Sequence, residues 1–170
     1  TGLNFPDALA GAPVAGSIDS PILLVAADAI PAATAAELMR LQPGRIVVLG
    51  GAGVVTDAVT NALAAYTAGG VTRLAGSDRY ATSAAISAAS FSPGVGVVYV
   101  ATGLNFPDAL AGAAAAGSQG APILLVTRDT VPAATAAELG RLNPGRIVVL
   151  GSTGVVSEAV RIQLQLVVGS

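Results

Sequence analysis

Short, β-rich apolar runs alternate with Ala-rich stretches along the whole chain. Val, Ile and Leu concentrate at 22–25, 46–49, 71–74, 97–101, 123–126 and 147–150, runs of strand length that predict six strands. The Ala-rich segments predict helices over 34–41, 55–66, 78–89, 107–116, 135–142 and 155–166. Apolar runs of this kind suit strands covered on both faces. Strand–helix alternation means a parallel sheet with helices on its faces and right-handed crossovers. The predicted class is therefore α/β, built from three-layer, Rossmann-like units.

The pattern also repeats residue by residue. TGLNFPDALAGA at Thr1–Ala12 returns letter for letter at Thr102–Ala113. The ungapped offset of 101 continues through PILLV (21–25 and 122–126), PAATAAEL (31–38 and 132–139) and PGRIVVLG (43–50 and 144–151), and fades after about Val59 and Val160. This is a tandem duplication with a period of domain size, not a small solenoid repeat. Residues 71–101 occur once, so 71–170 make one complete unit and 1–70 the C-terminal two-thirds of another. The first part is then incomplete and leans on a neighbour, borrows 71–101 as a permuted unit, or is completed by another chain in a swapped oligomer. The sequence leaves these three open.

The duplicated opening reads as a strand-to-helix junction. Pro107 suits a first helical turn, where its missing N–H needs no partner, and Asp108 sits where the macrodipole favours a carboxylate. Asn105 before them is a turn or capping residue. Asn4, Pro6 and Asp7 repeat the arrangement one period earlier. Such junctions lie at strand C-terminal ends, where doubly wound sheets place ligands. A second glycine-bearing junction, LGGAGVV at 49–55, fails as a dinucleotide fingerprint: position 56 is Thr56, and Gly51 becomes Ser152 in the second copy. Gly50, Gly53, Gly151 and Gly154 are expected to permit tight strand-to-helix turns.

Composition narrows the chemistry. Apolar residues make up 53% of the 170 and charged ones 11%, against about 25% charged in typical domains, so the chain folds compactly. No run approaches the roughly 20 apolar residues of a spanning helix, and no membrane insertion is expected. The net charge of −2 supplies no general field for nucleic acid. With neither Cys nor His, disulfides, zinc sites and Cys- or His-based catalysis drop out; no metal and no cofactor are expected. The chain opens at Thr, not Met, and shows no signal peptide, which reads as a mature form or an excised piece.

All eight basic residues are Arg, a side chain that grips phosphate and carboxylate bidentately. The densest polar chemistry is the single-copy stretch RLAGSDRYAT at 73–82. Gly76 can turn, Ser77 or Asp78 can cap the next helix, and Arg73 and Arg79 place two guanidinium groups near one junction. These residues either hold an anionic ligand or, with Asp78 paired to an Arg and Tyr80 packed between units, join the units. A carboxylate pair for glycoside chemistry could in principle come from Asp78 and Asp108, but no second acid lies near Asp108 in sequence, so no catalytic residue is assigned.

At these residues the chain resembles the cell wall-binding repeat 2 family. RLAGSDRYATSAAIS at 73–87, VYVATGLNFPDALAG at 98–112, PILLV at 122–126 and RIVVLG at 146–151 carry the resemblance in order and spacing. It implies Toprim-like α/β units in a non-catalytic, extracellular module that anchors a secreted or surface protein to anionic wall polymers, teichoic-acid-like or another secondary wall polymer. Family members usually carry three tandem units about a pseudo-threefold axis, which implies either a homo-oligomer or further repeat units in a longer parent protein. The family's motif residues fall on Arg73, Asp78, Arg79, Tyr80, Asn105, Phe106 and Asp108, with Asn4, Phe5 and Asp7 in the first copy. Each is a candidate for ligand contact or for contact between units.

Overall fold

The computed structural model describes residues 1–2, 5–105 and 107–168. The described elements run α1 (Pro6–Ser17), α2 (Ala32–Leu41), β1 (Ile46–Leu49), α3 (Asp57–Leu63, continued by a 3-10 turn at Ala64–Tyr66), β2 (Val71–Leu74) and α4 (Arg79–Ser90). They continue through β3 (Val98–Thr102), α5 (Pro107–Ser118), β4 (Ile123–Val126), α6 (Ala133–Leu142), β5 (Ile147–Val149) and α7 (Glu158–Val168). The chain is thus α/β with all its paired strands parallel.

The second half builds a three-layer sandwich around the sheet order β4-β3-β5. Successive side chains of a strand point to opposite faces, and here both faces are covered. Tyr99, Ala101, Ile123 and Leu125 pack against Leu9 of α1 and against Ala109, Ala113 and Ala116 of α5. Val98, Val100, Leu124 and Val126 pack on Leu139 and Leu142 of α6, on Val160 and Leu164 of α7 and on Val156 just before it. Small residues on α5 let it lie close to the sheet: a Cβ at Gly112 would meet the Leu150 side chain.

Helix α4 closes the outer edge of β4. The backbone N–H of Leu125, which a second neighbouring strand would otherwise engage, donates to Ser83 Oγ at 3.2 Å. Ser87 Oγ of the same helix donates to buried Glu138 at 2.6 Å. An edge covered by a helix is protected from pairing with other chains.

The first half is smaller. Its two-stranded sheet pairs β1 with β2 in the register Ile46↔Val71 to Leu49↔Leu74, over a core of Leu38, Val48, Val55, Val59 and Leu63. One expected strand is absent among the described residues: residues 22–25 join no ladder. Their counterparts in β4 pair with β3, whereas among the described residues no ladder forms beside 22–25, and Gly2 N–H bonds the Val25 carbonyl at 3.2 Å. A strand is defined by the partner it pairs with. The other expected elements form, within a few residues of their predicted ends.

Candidate functional site at the seam between the halves

The repeated junction starts with a helix that its own side chains do not cap. The residue before α1 is Phe5, which makes no side-chain capping bond, and Pro6 follows in the first turn. Asn4 and Phe106 lie outside the described residues. Asn105 is exposed in the turn that leads to α5.

Asp7, on the first turn of α1, is buried, and its carboxylate lies against Gly50 so closely that a Cβ there would fall 2.4 Å from Oδ2. Asp108 meets Gly151 in the same way, at 2.7 Å. Both glycines have φ near +100°, the left-handed region that a Cβ disfavours, so close approach and backbone shape demand glycine together. Gly53 and Gly154 take ordinary backbone angles. Burial raises the Asp7 pKa above the usual carboxylate value of 3.8, opposed by the positive charges of the Thr1 amino group and Arg79.

The carbonyl of each of these glycines is held by an arginine. In the first half Arg73, on β2, donates to the Gly50 carbonyl at 2.7 Å, to Thr60 Oγ1 at 2.5 Å and to Asp57 at 3.1 Å. In the second half Arg161, on α7, donates to the Gly151 carbonyl at 2.9 Å. Arg161 occupies the repeat position of Thr60, so the two halves deliver the same guanidinium from different elements. The sequence reading missed Arg161; the signal was the Thr-to-Arg difference at one repeat position.

The single-copy motif completes the seam. Asp78 caps α4 by accepting from Ala81 N–H at 2.8 Å, and Thr82 Oγ1 accepts from Gly76 N–H at 3.0 Å. Arg79 donates a short hydrogen bond to the Gly103 carbonyl. A Cβ at Gly103 would strike Tyr80 at 2.8 Å and Arg79 at 3.0 Å. Tyr80 is half-buried against the core cluster that includes Leu9 and Phe5 of the first half. Helix α1 lies on α5 where Gly16 meets its own repeat counterpart Gly117, a Cβ on the former reaching 3.7 Å from the latter's Cα.

The structure therefore gathers Asp7, Arg79, Tyr80 and Gly103 at one junction, joins Arg73 to Gly50 beside it, and sets Asp108 apart at the equivalent place in the second half. Asn105 faces solvent, away from these bonds. Arg73 and Arg79 direct their guanidinium groups at backbone carbonyls of the seam. Among the described residues no three of Asp, Glu, Cys or His gather as metal ligands, and no helix is long and apolar enough to cross a membrane.

Two other arginines have free heads. Arg45 and Arg146 stand at the starts of β1 and β5, one period apart, and both are exposed. Neither makes a side-chain hydrogen bond or ion pair among the described residues. Arg40 and Arg141 are neutralised by Glu37 and Glu138 at 2.6 and 2.7 Å, and hydrogen bonding to these carboxylates raises both arginine pKa values.

Residues 1–60 and 73–161 match the family described as cell wall binding domain 2 (CWB2). Over 161 residues, 95% of this chain, the sequence is 32% identical to a Bacillus subtilis (strain 168) protein named amidase enhancer, of which it covers 21%. Over 159 residues, 94% of the chain, it is 28% identical to N-acetylmuramoyl-L-alanine amidase LytC of the same organism, covering 32% of it. Among solved structures it resembles Cwp6 from Clostridium difficile, with a TM-score of 0.87 and 30% identity over 96% of this chain and 26% of that one. Cwp8 from Clostridium difficile gives a TM-score of 0.82 and 26% identity over 96% and 27%. The chain spans about a fifth to a third of the length of these relatives. With both halves matched by one family model, the chain belongs to the cell wall binding domain 2 family.

Proposed function

We propose that this chain is a non-catalytic module that holds a secreted or surface protein to the bacterial cell wall by binding anionic wall polymers, teichoic-acid-like or another secondary wall polymer. The observation that carries this reading is the family match through both halves, which makes wall binding a property of the repeat. Arg45 and Arg146 are its contacts with phosphate or carboxylate: planar forks, exposed, one period apart, with no internal partner to displace. Two such weak sites on one rigid chain gain affinity by acting together. Arg79, Tyr80 and Asp7 serve as contacts at the seam between the halves, Arg73, Asp78 and Asp108 brace the junctions in which they sit, and Asn105, exposed at its turn, is left to the ligand.

Co-sedimentation with purified bacterial walls, before and after removal of their anionic polymers, tests the reading. Binding should need the polymers and weaken with salt. Reversing both charges, Arg45→Glu with Arg146→Glu, should lower retention on the order of tenfold or more while circular dichroism stays unchanged. Equal binding to intact and stripped walls would overturn it.

One observation favours a second reading, an assembly module. Leu110 on α5 is exposed, whereas its counterpart Leu9 is buried in the seam. Beside Leu110 a cavity of about 310 Å³ is lined by Ala12, Gly16, Ala113 and Gly117. A mass in solution that grows with concentration, together with no wall binding, would favour this reading over the first.

A further inference from the structure

We propose that Arg161 decides which strand can sit on the outer edge of β5. By filling the guanidinium site at Gly151 from within its own unit, it closes that edge to an arginine-bearing strand such as β2, whether from this chain or from a second copy, and leaves β1 as the acceptor of β2. This selectivity is independent of wall binding and rests on two strands of identical sequence that pair differently.

The duplication offers β2 two acceptors. PGRIVVLG occurs at 43–50 and at 144–151, so β1 and β5 carry the same residues along their edges. Strand β1 takes β2 in parallel, with Val48 opposite Arg73, and Gly50 N–H adds a rung to the Leu74 carbonyl at 2.9 Å. Strand β5 pairs with β3 on one side, and among the described residues no strand lies on the other. An edge of this kind is a template for pairing with another chain. Strand sequence alone does not tell the two edges apart.

What differs is the source of the guanidinium on the glycine carbonyl. Arg73 brings its own to Gly50 from β2, at 2.7 Å, and Thr60 and Asp57 of α3 accept from it at 2.5 and 3.1 Å. The repeat positions of Gly50, Thr60 and Asp57 hold Gly151, Arg161 and Glu158, and Arg161 already donates to the Gly151 carbonyl at 2.9 Å. A strand like β2 in the same register on β5 would set its arginine opposite Val149 and aim it at that carbonyl. Two like charges would then share one acceptor, and the single carboxylate of Glu158 cannot offset both.

Arg161 holds this place at a cost to the fold. Its Nε is buried with no partner among the described residues, and an unmet buried donor is destabilising. A threonine, as at position 60, would avoid that cost. Stability given up at an edge is one way in which proteins restrict what pairs there. Nearness in the chain also favours β1, because only residues 67–70 separate the turn after α3 from β2. Nearness does not act on a strand supplied from outside, and for such a strand the arginine is what discriminates.

Two experiments test the proposal. In the first half, Thr60→Arg puts a second guanidinium at Gly50 and should speed hydrogen exchange at 46–49 and 71–74 by at least about tenfold. Adding Arg73→Thr leaves one guanidinium again and should restore the slow rates. In the second half, a peptide of residues 70–77 is added to the unsubstituted chain and to Arg161→Thr. It should bind Arg161→Thr at least about tenfold more tightly, slowing exchange at 147–150 and leaving 123–126 unchanged. The same peptide with Arg73→Thr should bind both chains alike. Unchanged exchange in Thr60→Arg, no rescue by Arg73→Thr, or an arginine peptide that binds both chains equally or neither of them overturns the proposal.

Discussion

The pentapeptide PILLV occurs at 21–25 and at 122–126, and only the second copy is a strand. Local propensity is the same in both, and so is the threonine that pins each to its following helix. The difference lies in what stands alongside. Residues 123–126 have β3 on one side and α4 on the other, and all four are buried. Beside residues 22–25 the described residues place Gly2, whose N–H bonds the Val25 carbonyl, and no ladder. Strand character here belongs to the pairing, as expected when β preference reflects packing against neighbours more than the backbone itself.

The contrast is broken or sharpened most forcefully at matched leucines. Leu125→Ala should cost about 2–5 kcal/mol, a full core truncation; Leu24→Ala should stay within about 0.5 kcal/mol, the usual range for an exposed site. Urea melts of the two variants measure both, and equal costs would mean that the halves are more alike than their burial indicates. Next in size is Ser83→Ala, which strips the hydroxyl from the Leu125 N–H at the β4 edge and should cost about 1–3 kcal/mol, with faster exchange confined to that edge.

A smaller asymmetry separates the helices that follow β1 and β5. Thr56 Oγ1 accepts from Val59 N–H at the start of α3, at 3.4 Å, while its counterpart Ser157 has a buried hydroxyl that finds no partner among the described residues. Thr56→Ala should therefore lose about 0.5–1 kcal/mol of cap, and Ser157→Ala nothing or a slight gain, by thermal melting. Least in size is the pH effect of Asp7. Its pKa is raised in the fold, so the folded state holds the proton to a higher pH than the unfolded chain, and stability declines as pH climbs from 3.8 through the raised value. Asp7→Asn should raise the melting temperature at pH 7, and the gain should close as the pH falls below 3.8.

The alternation of apolar runs and Ala-rich stretches sufficed for the α/β class, and the 73–82 stretch for a cap on α4 by Ser77 or Asp78, of which the structure uses Asp78, because these depend on neighbours in sequence. The resemblance to cell wall-binding repeat 2 likewise holds in the family match. The fate of 22–25 was not legible, since it turns on an element one strand away. Nor were the bonds of Arg73 and Arg79 to the carbonyls of Gly50 and Gly103, each more than 20 residues distant. A guanidinium aimed at a carbonyl looks, in sequence, the same as one aimed at a ligand. The unengaged pair Arg45 and Arg146 was visible only as two arginines at one repeat position, and the bonding of the other six sets them apart.

Strand β2 opens the second sequence unit yet completes the sheet of the first, with four residues of register against β1. The period of the sequence and the period of the hydrogen bonding are thus out of phase by one strand. A chain extended by whole repeats grows like interlocking links, each newcomer carrying the strand that finishes its predecessor. Excision between 70 and 71 strands β1 without its ladder, whereas a cut within 75–77 leaves β1–β2 intact and α4 with its Asp78 cap.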